Sequence, residues 1–387
     1  MDRQQILEIL LRTLIFLLGA GIGSFLNVVI YRLPLDISVN NPRRSFCPSC
    51  KKQIPWYRNI PLVSWLALRG KCAECGSKIA FRYFFVELLT GLLFYAVFVK
   101  FSAGSGARVF EHVRDWGPLV LIFWIFIALL VSGSYIDIDH QILPHVITLG
   151  GFCVGLLGSY WQPSMMHETE HGRGIVVSFV SGCMGLGLLW TVVELGKLAF
   201  GRIKESFDKP QPWKIAQPDE EEPPMFECGE TKLTWADIFT RASDRLIIQC
   251  EDLSVNDLKF AKCRAEIRQH AMKVFAGAAV ENIPLDGVKH LEGRATQIVI
   301  PREAMGFGDV LLLAMIGSFL GWQAVLFTIV AGSMLGTLCA VLPRFIGRTE
   351  WSARIPFGPY LAGGAVIWLF YGQQFLDWYL SRLQWKA

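Results

Sequence analysis

Two aspartates that are far apart in the sequence could form a paired-carboxylate site. Asp137 occurs in YIDIDHQILPH (135–145), after about twenty almost entirely uncharged residues, and Asp309 ends AMGFGD (304–309), just before another apolar run. When two partly desolvated carboxyl groups lie within a few ångströms, one keeps a proton while the other is a base. Such a pair can activate water for attack on an amide carbonyl and protonate the leaving group. Because a coupled pair titrates as a unit, the acid and the base stay unassigned.

The polar residues near these aspartates have simpler interpretations. Asp139 faces another way from Asp137, so we expect it to cap a helix that starts at residue 145 or to face solvent. His140 is predicted to be an exposed loop histidine. Asp309 alone could be a helix N-cap, and a second carboxylate at the same depth favours the catalytic interpretation.

Two glycines precede Asp309. Gly306 and Gly308 can take positive φ and would let an extended peptide approach the backbone. The apolar run that follows is too short to cross a bilayer as a helix at about 1.5 Å per residue. We therefore expect its entrance to be non-helical and to line a cavity.

Four cysteines have the spacing of a metal site. Cys47-Pro-Ser-Cys50 and Cys72-Ala-Glu-Cys75 are separated by 21 residues, just beyond the spacing typical of zinc sites. Two such pairs can complete a tetrahedral S4 site, which leaves no position for substrate, so we expect structural Zn²⁺. Two dithiol redox motifs are the alternative. The remaining cysteines are expected to be buried small hydrophobes: Cys153, Cys183, Cys228, Cys250, Cys263 and Cys339.

The elements that must position these residues are membrane helices. The chain of 387 residues is 52% hydrophobic and 18% charged, with a mean hydropathy of +0.39. The N-terminal apolar run has no fitting cleavage site, so we interpret it as a retained helix. Uncharged stretches long enough to span a bilayer predict a polytopic α-helical membrane protein with about eight spans: 8–30, 84–101, 117–136, 145–161, 174–200, 308–321, 323–343 and 358–377.

Loop charges predict the orientation. Residues 31–83 carry ten Lys/Arg against two acids, so this loop is predicted to be cytoplasmic, with the N-terminus outside. The turns at 137–144, 201–307 and 344–357 then lie inside, and both aspartates reach the cytoplasmic face. In the first helix, Gly19, Gly23 and Asn27 share one face, which predicts a helix-packing seam in which Asn27 needs a partner.

The stretch 201–302 differs from the rest of the chain. It opens with PQPWKIAQPDEEEPP (210–224), which we interpret as a mobile Pro-rich acidic linker, and continues with alternating polar and apolar residues that predict strands or a mixed α/β unit. It contains no catalytic motif, so a structural or partner-binding insertion is expected. The acidic run at 219–222 could attract a basic peptide, although solvated acidic linkers are common.

These observations divide the chain into five parts. We predict a first transmembrane helix, a cytoplasmic zinc-binding loop, helices two to five with the first aspartate, the acidic linker with a soluble cytoplasmic insertion, and helices six to eight with the GFGD motif. The corresponding ranges are 1–35, 36–83, 84–200, 201–302 and 303–387.

Five ordered blocks carry a resemblance to a known family. They are GIGSFLNVVIYRLP (21–34), the cysteine-containing block at 47–91, IDIDHQILP (136–144), GFGD (306–309) and IPFGPYLA (355–362). Together they resemble the bacterial type IV prepilin peptidases, which are leader peptidase/N-methyltransferases of the GxGD class of membrane aspartyl proteases. The resemblance touches nearly every part of the chain except 201–302.

The resemblance implies a multi-pass protein of the bacterial inner membrane whose active site faces the cytoplasm. It implies cleavage of the basic leader from type IV prepilins or type II secretion pseudopilins, followed by methylation of the new N-terminus with S-adenosylmethionine. The family's two catalytic aspartates fall on Asp137 and Asp309. The sequence departs from the family pattern at Ala304, Leu311 and His145, and it shows no glycine-rich nucleotide loop for S-adenosylmethionine.

Three other functions remain open at the level of sequence. Intramembrane aspartates could relay protons in a transporter, or they could cap helices in a non-catalytic scaffold for pilus or secretion assembly. A peptidase of this class could also cleave other membrane substrates, as signal peptide peptidases do, although the cysteine loop and IPFGPYLA argue against that. We expect the lipid bilayer as a partner and no nucleic acid.

Overall fold

The computed structural model describes most of the chain. The described residues are 3–41, 45–103, 113–200, 202–216, 224–229, 231–239, 244–256, 258–277, 279–285, 288, 290–301, 306–345 and 356–384.

Ten α-helices occur within these described residues. In chain order they are α1 (Arg3–Arg32), α2 (Val63–Ala67), α3 (Phe81–Ser102), α4 (Val113–His140), α5 (His145–Trp161), α6 (His171–Phe200), α7 (Trp235–Ile238), α8 (Phe307–Leu320), α9 (Trp322–Phe345) and α10 (Gly358–Gln384).

The chain forms two compact units, a helical one and a β-sheet one. The helical unit comprises Met1–Trp190 and Gly306–Ala387, and the second unit comprises Thr191–Met305. Every one of the eight predicted spans coincides with a helix of the structure. Five of these helices, within the described residues, are long and apolar enough to cross a membrane: α1, α3, α4, α6 and α9.

The other three predicted spans differ from these five. Helices α5 and α8 are apolar but shorter, with 17 and 14 residues. Helix α10 is long but carries Gln373, Gln374 and Asp377 in its second half. The structure therefore supports several membrane-spanning helices without fixing their number at eight.

Helix α8 is the buried centre of the helical unit. Residues 309–319 are all buried, as expected for a helix that is apolar all round. Small residues let the neighbouring helices approach closely. A methyl group built at Gly185 of α6 would lie 2.6 Å from the carbonyl oxygen of Leu313, and Ser178 donates a hydrogen bond of 2.7 Å to the carbonyl of Ser318. Because protein surrounds α8, it does not need the length of a lipid-exposed span.

The glycine face of α1 packs on α3, as predicted. A side chain at Gly19 would overlap Phe94 and Gly91, and one at Gly23 would overlap Glu87. At the end of this seam, the amide nitrogen of Asn27 donates a hydrogen bond of 3.0 Å to the carbonyl oxygen of Tyr83. The helix-packing interpretation of this motif is confirmed.

The second unit is an antiparallel β-sheet. Its strands are β1 (Arg202–Ala216), β2 (Met225–Cys228), β3 (Thr231–Thr234), β4 (Leu246–Val255), β5 (Leu258–Ile267), β6 (Ala271–Ala276), β7 (Ala279–Pro284) and β8 (Leu291–Pro301). They lie in the order β3-β2-β1-β8-β4-β5-β6-β7. Of the two predicted alternatives, strands or a mixed α/β unit, the structure has the strands. The mixed α/β alternative is wrong, since the only α-helices in the described part of this unit are the four-residue α7 and the end of α6.

The core of the sheet unit explains why the linker prediction was partly wrong. Residues 210–216 are the second half of β1, where Trp213 is 2% exposed and packs in the core. The prolines of this segment lie beside an irregularity in the β1–β8 register between Ser206 and Gln211, which is where strands tolerate proline. Residues 217–223, including the acidic run at 219–222, lie outside the described residues.

The cysteines outside the 47–75 loop fall into two groups. Cys228, Cys250 and Cys263 are buried in the sheet unit, as predicted. Cys153, Cys183 and Cys339 are exposed on their helices, so the expectation that all six would be buried was wrong. In an apolar helix the outer face can hold a small hydrophobic residue as readily as the inner face can.

Candidate functional site

Asp137 lies in the last turn of α4, not in the loop that follows. The helix ends at His140, because Gln141 takes a left-handed φ of +53° and Pro144 follows. Asp137 is only 6% exposed. Its Oδ2 accepts a hydrogen bond of 3.0 Å from the backbone N–H of Gly358, the first residue of α10. A helix N-terminus stabilises a negative charge placed at it.

Asp309 lies in the first turn of α8 and is 7% exposed. Gly306 is the N-cap residue of this helix, and the Asp309 backbone N–H donates a hydrogen bond of 3.1 Å to the Gly306 carbonyl. The alternative interpretation of Asp309 as the N-cap is therefore wrong.

The helix contacts bring the two aspartates to the same end of the helical unit. The rings of Phe126 in α4 and Phe319 in α8 stack with centroids 4.5 Å apart. At the opposite end of these two helices, Leu143, which follows α4, lies against Gly308 at the start of α8. The segment just after α4 thus meets the start of α8, whereas Phe126 earlier in α4 meets Phe319 near the end of α8. The two helices therefore run antiparallel, and Asp137 and Asp309 share one end.

Leu143 contacts the backbone next to both aspartates. A methyl group built at Gly308 would lie 2.7 Å from Leu143 Cβ, and one built at Gly358 would lie 2.7 Å from Asp137 Oδ2 and 3.3 Å from Leu143 Cδ1. Gly308 is thus needed for close approach. Neither Gly306, with φ of −74°, nor Gly308 has a positive φ among the described residues, so that part of the glycine prediction was wrong.

Gly358 is not among the site residues predicted from the sequence. It is the fourth residue of IPFGPYLA, a block that carried the family resemblance but received no role. Residue 355 of this block and Ala304 of the GFGD region lie outside the described residues, as do residues 302–305 at the predicted non-helical entrance. Gly306 itself is extended, with ψ of 146°.

Asp139 and His140, which follow Asp137 closely in the sequence, are exposed and are not part of the candidate site. Asp139 forms an ion pair with Arg82 at the start of α3, and the N-cap residue of α5 is Pro144 without a side-chain cap. The expected solvent-facing position is confirmed for Asp139 and the capping role is wrong. His140 is exposed but belongs to α4 and not to a loop.

The four cysteines of the loop converge on one point. The sulfur atoms of Cys47, Cys50, Cys72 and Cys75 all lie within 4.8 Å of one another, and those of Cys47 and Cys75 are 3.9 Å apart. A tetrahedral zinc ion with Zn–S bonds of about 2.3 Å requires sulfurs about 3.8 Å apart. The cluster could therefore hold a metal ion such as zinc.

The pKa values of two of these thiols differ, which is consistent with a cation site between the four sulfurs. Hydrogen bonds from the Cys50 backbone N–H and the Ser77 hydroxyl lower the pKa of Cys47 to about 6. For Cys50, the Lys52 backbone N–H lowers the pKa, but desolvation and the neighbouring thiols outweigh it and raise the pKa to about 11. Four sulfurs this close cannot all ionise unless a cation lies between them.

Two family models match the chain. The Bacterial Peptidase A24 N-terminal domain matches residues 17–101, which include the cysteine loop. The Type IV leader peptidase family matches residues 124–204 and 266–341, which include both aspartates. No solved structure matches the chain with significance.

Curated relatives agree with these models. A prepilin leader peptidase/N-methyltransferase of Myxococcus xanthus is 45% identical over 188 residues, which are 48% of this chain and 51% of the relative. A protein of the same name from Aeromonas hydrophila is 27% identical over 96% of this chain and 94% of its own length. A type 4 prepilin-like proteins leader peptide-processing enzyme of Escherichia coli is 36% identical, over 42% of this chain and 62% of the relative. This chain belongs to the type IV leader peptidase family.

Proposed function

We propose that this protein is a membrane aspartyl endopeptidase that removes the leader from type IV prepilins or pseudopilins and then methylates the new N-terminus. The observation that carries the proposal is the pair of buried carboxylates, Asp137 and Asp309, at one end of the helical unit of a chain from this family. The matched relatives named above give no support to a transporter or a scaffold.

In the proposed mechanism, one aspartate is ionised and takes a proton from water while the water oxygen attacks the scissile carbonyl carbon. The other aspartate, which is protonated, donates a proton to the leaving nitrogen. The Gly358 N–H stabilises negative charge on Asp137 at the α10 N-terminus. Which aspartate begins as the base is left open, because the two titrate together.

The proposed setting is the bacterial inner membrane. The basic loop at 31–83 supports a cytoplasmic position for the cysteine cluster and for the aspartates. The substrate's apolar segment would lie in the bilayer with its basic leader in the cytoplasm. Zinc would be held by Cys47, Cys50, Cys72 and Cys75 and would fix the fold of the loop, because four protein ligands leave no open position for substrate.

The test is cleavage of a type IV prepilin by the purified full chain in detergent. We expect Asp137→Asn and Asp309→Asn each to lower the rate by at least about 100-fold, since each removes a proton-transfer group. The matched control is Asp377→Asn, which alters an exposed carboxylate of α10 and should cleave at the wild-type rate. Wild-type rates in both dyad variants would eliminate the carboxylate pair as the catalytic group.

A further inference from the structure

An ion pair joins the start of α3 to the end of α4. Nη1 of Arg82 donates a hydrogen bond to Oδ2 of Asp139, and the two residues are 57 apart in the sequence. Neither is part of the candidate site. Asp139 nevertheless lies two residues after Asp137, in the same last turn of α4. A contact that fixes Asp139 therefore also affects where the Asp137 carboxylate lies.

The two charges of this pair lie at the unfavourable ends of their own helices. Arg82 is the second residue of α3, where the partial positive charge of a helix N-terminus disfavours a cation. Asp139 is the second-last residue of α4, where the partial negative charge of a helix C-terminus disfavours an anion. Each helix on its own would gain from the opposite charge. The arrangement is favourable only where Arg82 meets Asp139, so the contact between α3 and α4 explains it and the stability of either helix does not.

The start of α3 is held in place independently of α4. The Tyr83 carbonyl, next to Arg82, accepts the hydrogen bond of 3.0 Å from the Asn27 amide of α1. One turn further on, α1 and α3 are so close that a methyl group at Gly23 would lie 2.7 Å from the Glu87 Cα. The Arg82 guanidinium also lies over the Tyr83 ring, 5.6 Å from its centroid. The charge of Arg82 thus stands on a rigid support.

The last turn of α4 is otherwise open to solvent next to Asp137. Ile138, Asp139 and His140 are exposed residues, and the helix ends at His140. The ion pair covers most of its two side chains, which are 29% exposed for Arg82 and 26% for Asp139. Asp137 itself accepts the hydrogen bond from the α10 backbone. The turn is therefore held from two sides, by a backbone donor of α10 and by a charge of α3.

We infer that Arg82 and Asp139 are positioning residues for leader cleavage, and that their ion pair fixes the last turn of α4 so that Asp137 is aligned for the reaction. The inference deepens the proposed function and rests on its cleavage step. Both residues act through the backbone of α4 and not on the substrate. An ion pair that is partly exposed adds little to the stability of a whole protein, whereas a misplacement of about 1 Å at a catalytic group slows a reaction strongly.

The experiment compares kcat and KM for prepilin cleavage by the full chain in detergent. Arg82→Gln and Asp139→Asn each remove one charge. We expect each to lower kcat by about 10-fold and to leave KM unchanged within about twofold, because alignment is lost and substrate binding is kept. Arg82→Lys keeps the charge and should retain kcat within about threefold. The zinc content and the melting temperature of the same samples report whether each variant is folded.

Charge reversal separates a positioning pair from two residues with independent roles. Arg82→Asp alone and Asp139→Arg alone each bring two like charges together, and we expect each to lower kcat by at least about 100-fold. The double variant restores the attraction and places each charge at the helix end that favours it. Its kcat should return to within about fivefold of the wild type, a strong coupling of the kind that residues in contact show.

Three results would overturn the inference. The first is a folded double variant that is as slow as the single reversals. The second is a rise in KM with kcat unchanged, which would make the pair a substrate contact. The third is a fall in melting temperature of the neutral variants that accounts for their loss of rate, which would make the pair a general structural contact.

The matched control is Glu8→Gln, which breaks the exposed ion pair with Arg12 inside α1 and should leave kcat and KM unchanged. If Arg82→Gln and Asp139→Asn also cleave as the wild type does, the inference fails and the proposed function stands. If the wild type cleaves no prepilin, the proposed function fails and the inference falls with it.

Discussion

At the scale of single residues, the environment of Asp137 distinguishes it from the other acids of the chain. It is buried in a helix end, and its hydrogen-bond donor comes from a backbone 221 residues further along. Asp139, two residues on, is exposed and paired with an arginine. Two acids in one short motif thus have different environments, because one faces the helical core and the other faces away from it.

Gly358 is predicted to be required for activity because only a glycine fits beside Asp137. A methyl group there would lie 2.7 Å from Asp137 Oδ2, closer than side-chain carbon atoms approach an oxygen, so the carboxylate or the start of α10 must shift. We expect Gly358→Ala to lower prepilin cleavage by about 10- to 100-fold, since misplacement of a catalytic group by about 1 Å has effects of this size.

The matched control for this substitution is Gly363→Ala in the same helix. A methyl group at Gly363 would meet only Leu335 Cδ1 at 3.4 Å, an ordinary contact. Cleavage by Gly363→Ala should equal that of the wild type within about twofold, and equal losses in both alanine variants would show that α10 tolerates neither for reasons unrelated to Asp137.

At the scale of elements, small residues bring helices of the helical unit close together. Gly23 and Gly185 let α1 approach α3 and let α6 approach α8. The loop between α1 and α3, by contrast, has one five-residue helix and one three-residue 3₁₀ helix between its cysteine pairs. A loop with so little regular structure needs a covalent or metal staple to hold one conformation.

Removal of the metal is predicted to loosen this loop. We expect the wild type to contain about one zinc ion per chain and Cys72→Ser to contain far less, because structural zinc and folding are coupled. Limited trypsin digestion should then cut the variant faster at Lys51, Lys52 and Arg58. Metal analysis and peptide mapping give the two readouts.

Cys153→Ser provides the control for the zinc experiment, since Cys153 is exposed on α5 and is outside the cluster. Its zinc content and its digestion rate should match those of the wild type. Full zinc in Cys72→Ser would remove this cysteine from the metal site, and unchanged digestion after loss of zinc would remove the structural role.

At the scale of the whole molecule, the chain combines two units with separate cores. The core of the sheet unit contains Trp213, Phe226, Ile248 and Ile267, each 2% exposed or less. Its strands pair mainly with sequence neighbours, as in the β4 to β7 meander, while β8 returns to lie between β1 and β4. The strand pairings that form this sheet, as described, all lie within 202–301.

We predict that residues 202–301 fold on their own. A fragment with its own core should show a β-type circular dichroism spectrum and cooperative unfolding in urea, with a free energy of unfolding of about 5 to 15 kcal/mol. In that fragment Ile248→Ala, at a fully buried site, should cost about 2 to 5 kcal/mol.

Leu258→Ala is the control for the core substitution, because Leu258 is 49% exposed and its loss should cost about 0.5 kcal/mol or less. Non-cooperative unfolding of the fragment would mean that the sheet unit depends on the rest of the chain. Equal costs at the two positions would contradict the placement of its core.

Features that depend on local composition could be read from the sequence. Long apolar runs located the helices, and paired cysteines located the cysteine cluster. An acid at each of two helix ends made Asp137 and Asp309 the candidate site residues. The proline-rich beginning of the 201–302 stretch misled the prediction, because a strand that contains prolines resembles a linker until its bonding partner is known. Trp213 and its pairing with β8 decided that residues 210–216 belong to the sheet.

What the sequence determined is the set of candidate functional residues and the helices that carry them, since hydropathy and ligand spacing are properties of neighbouring residues. Only the tertiary structure decided which of these residues meet. Three contacts bring together segments that are distant in the chain: the Gly358 N–H on Asp137, Leu143 against Gly308, and Asn27 on the Tyr83 carbonyl. Such contacts follow from the packing of whole helices, and no local pattern encodes them.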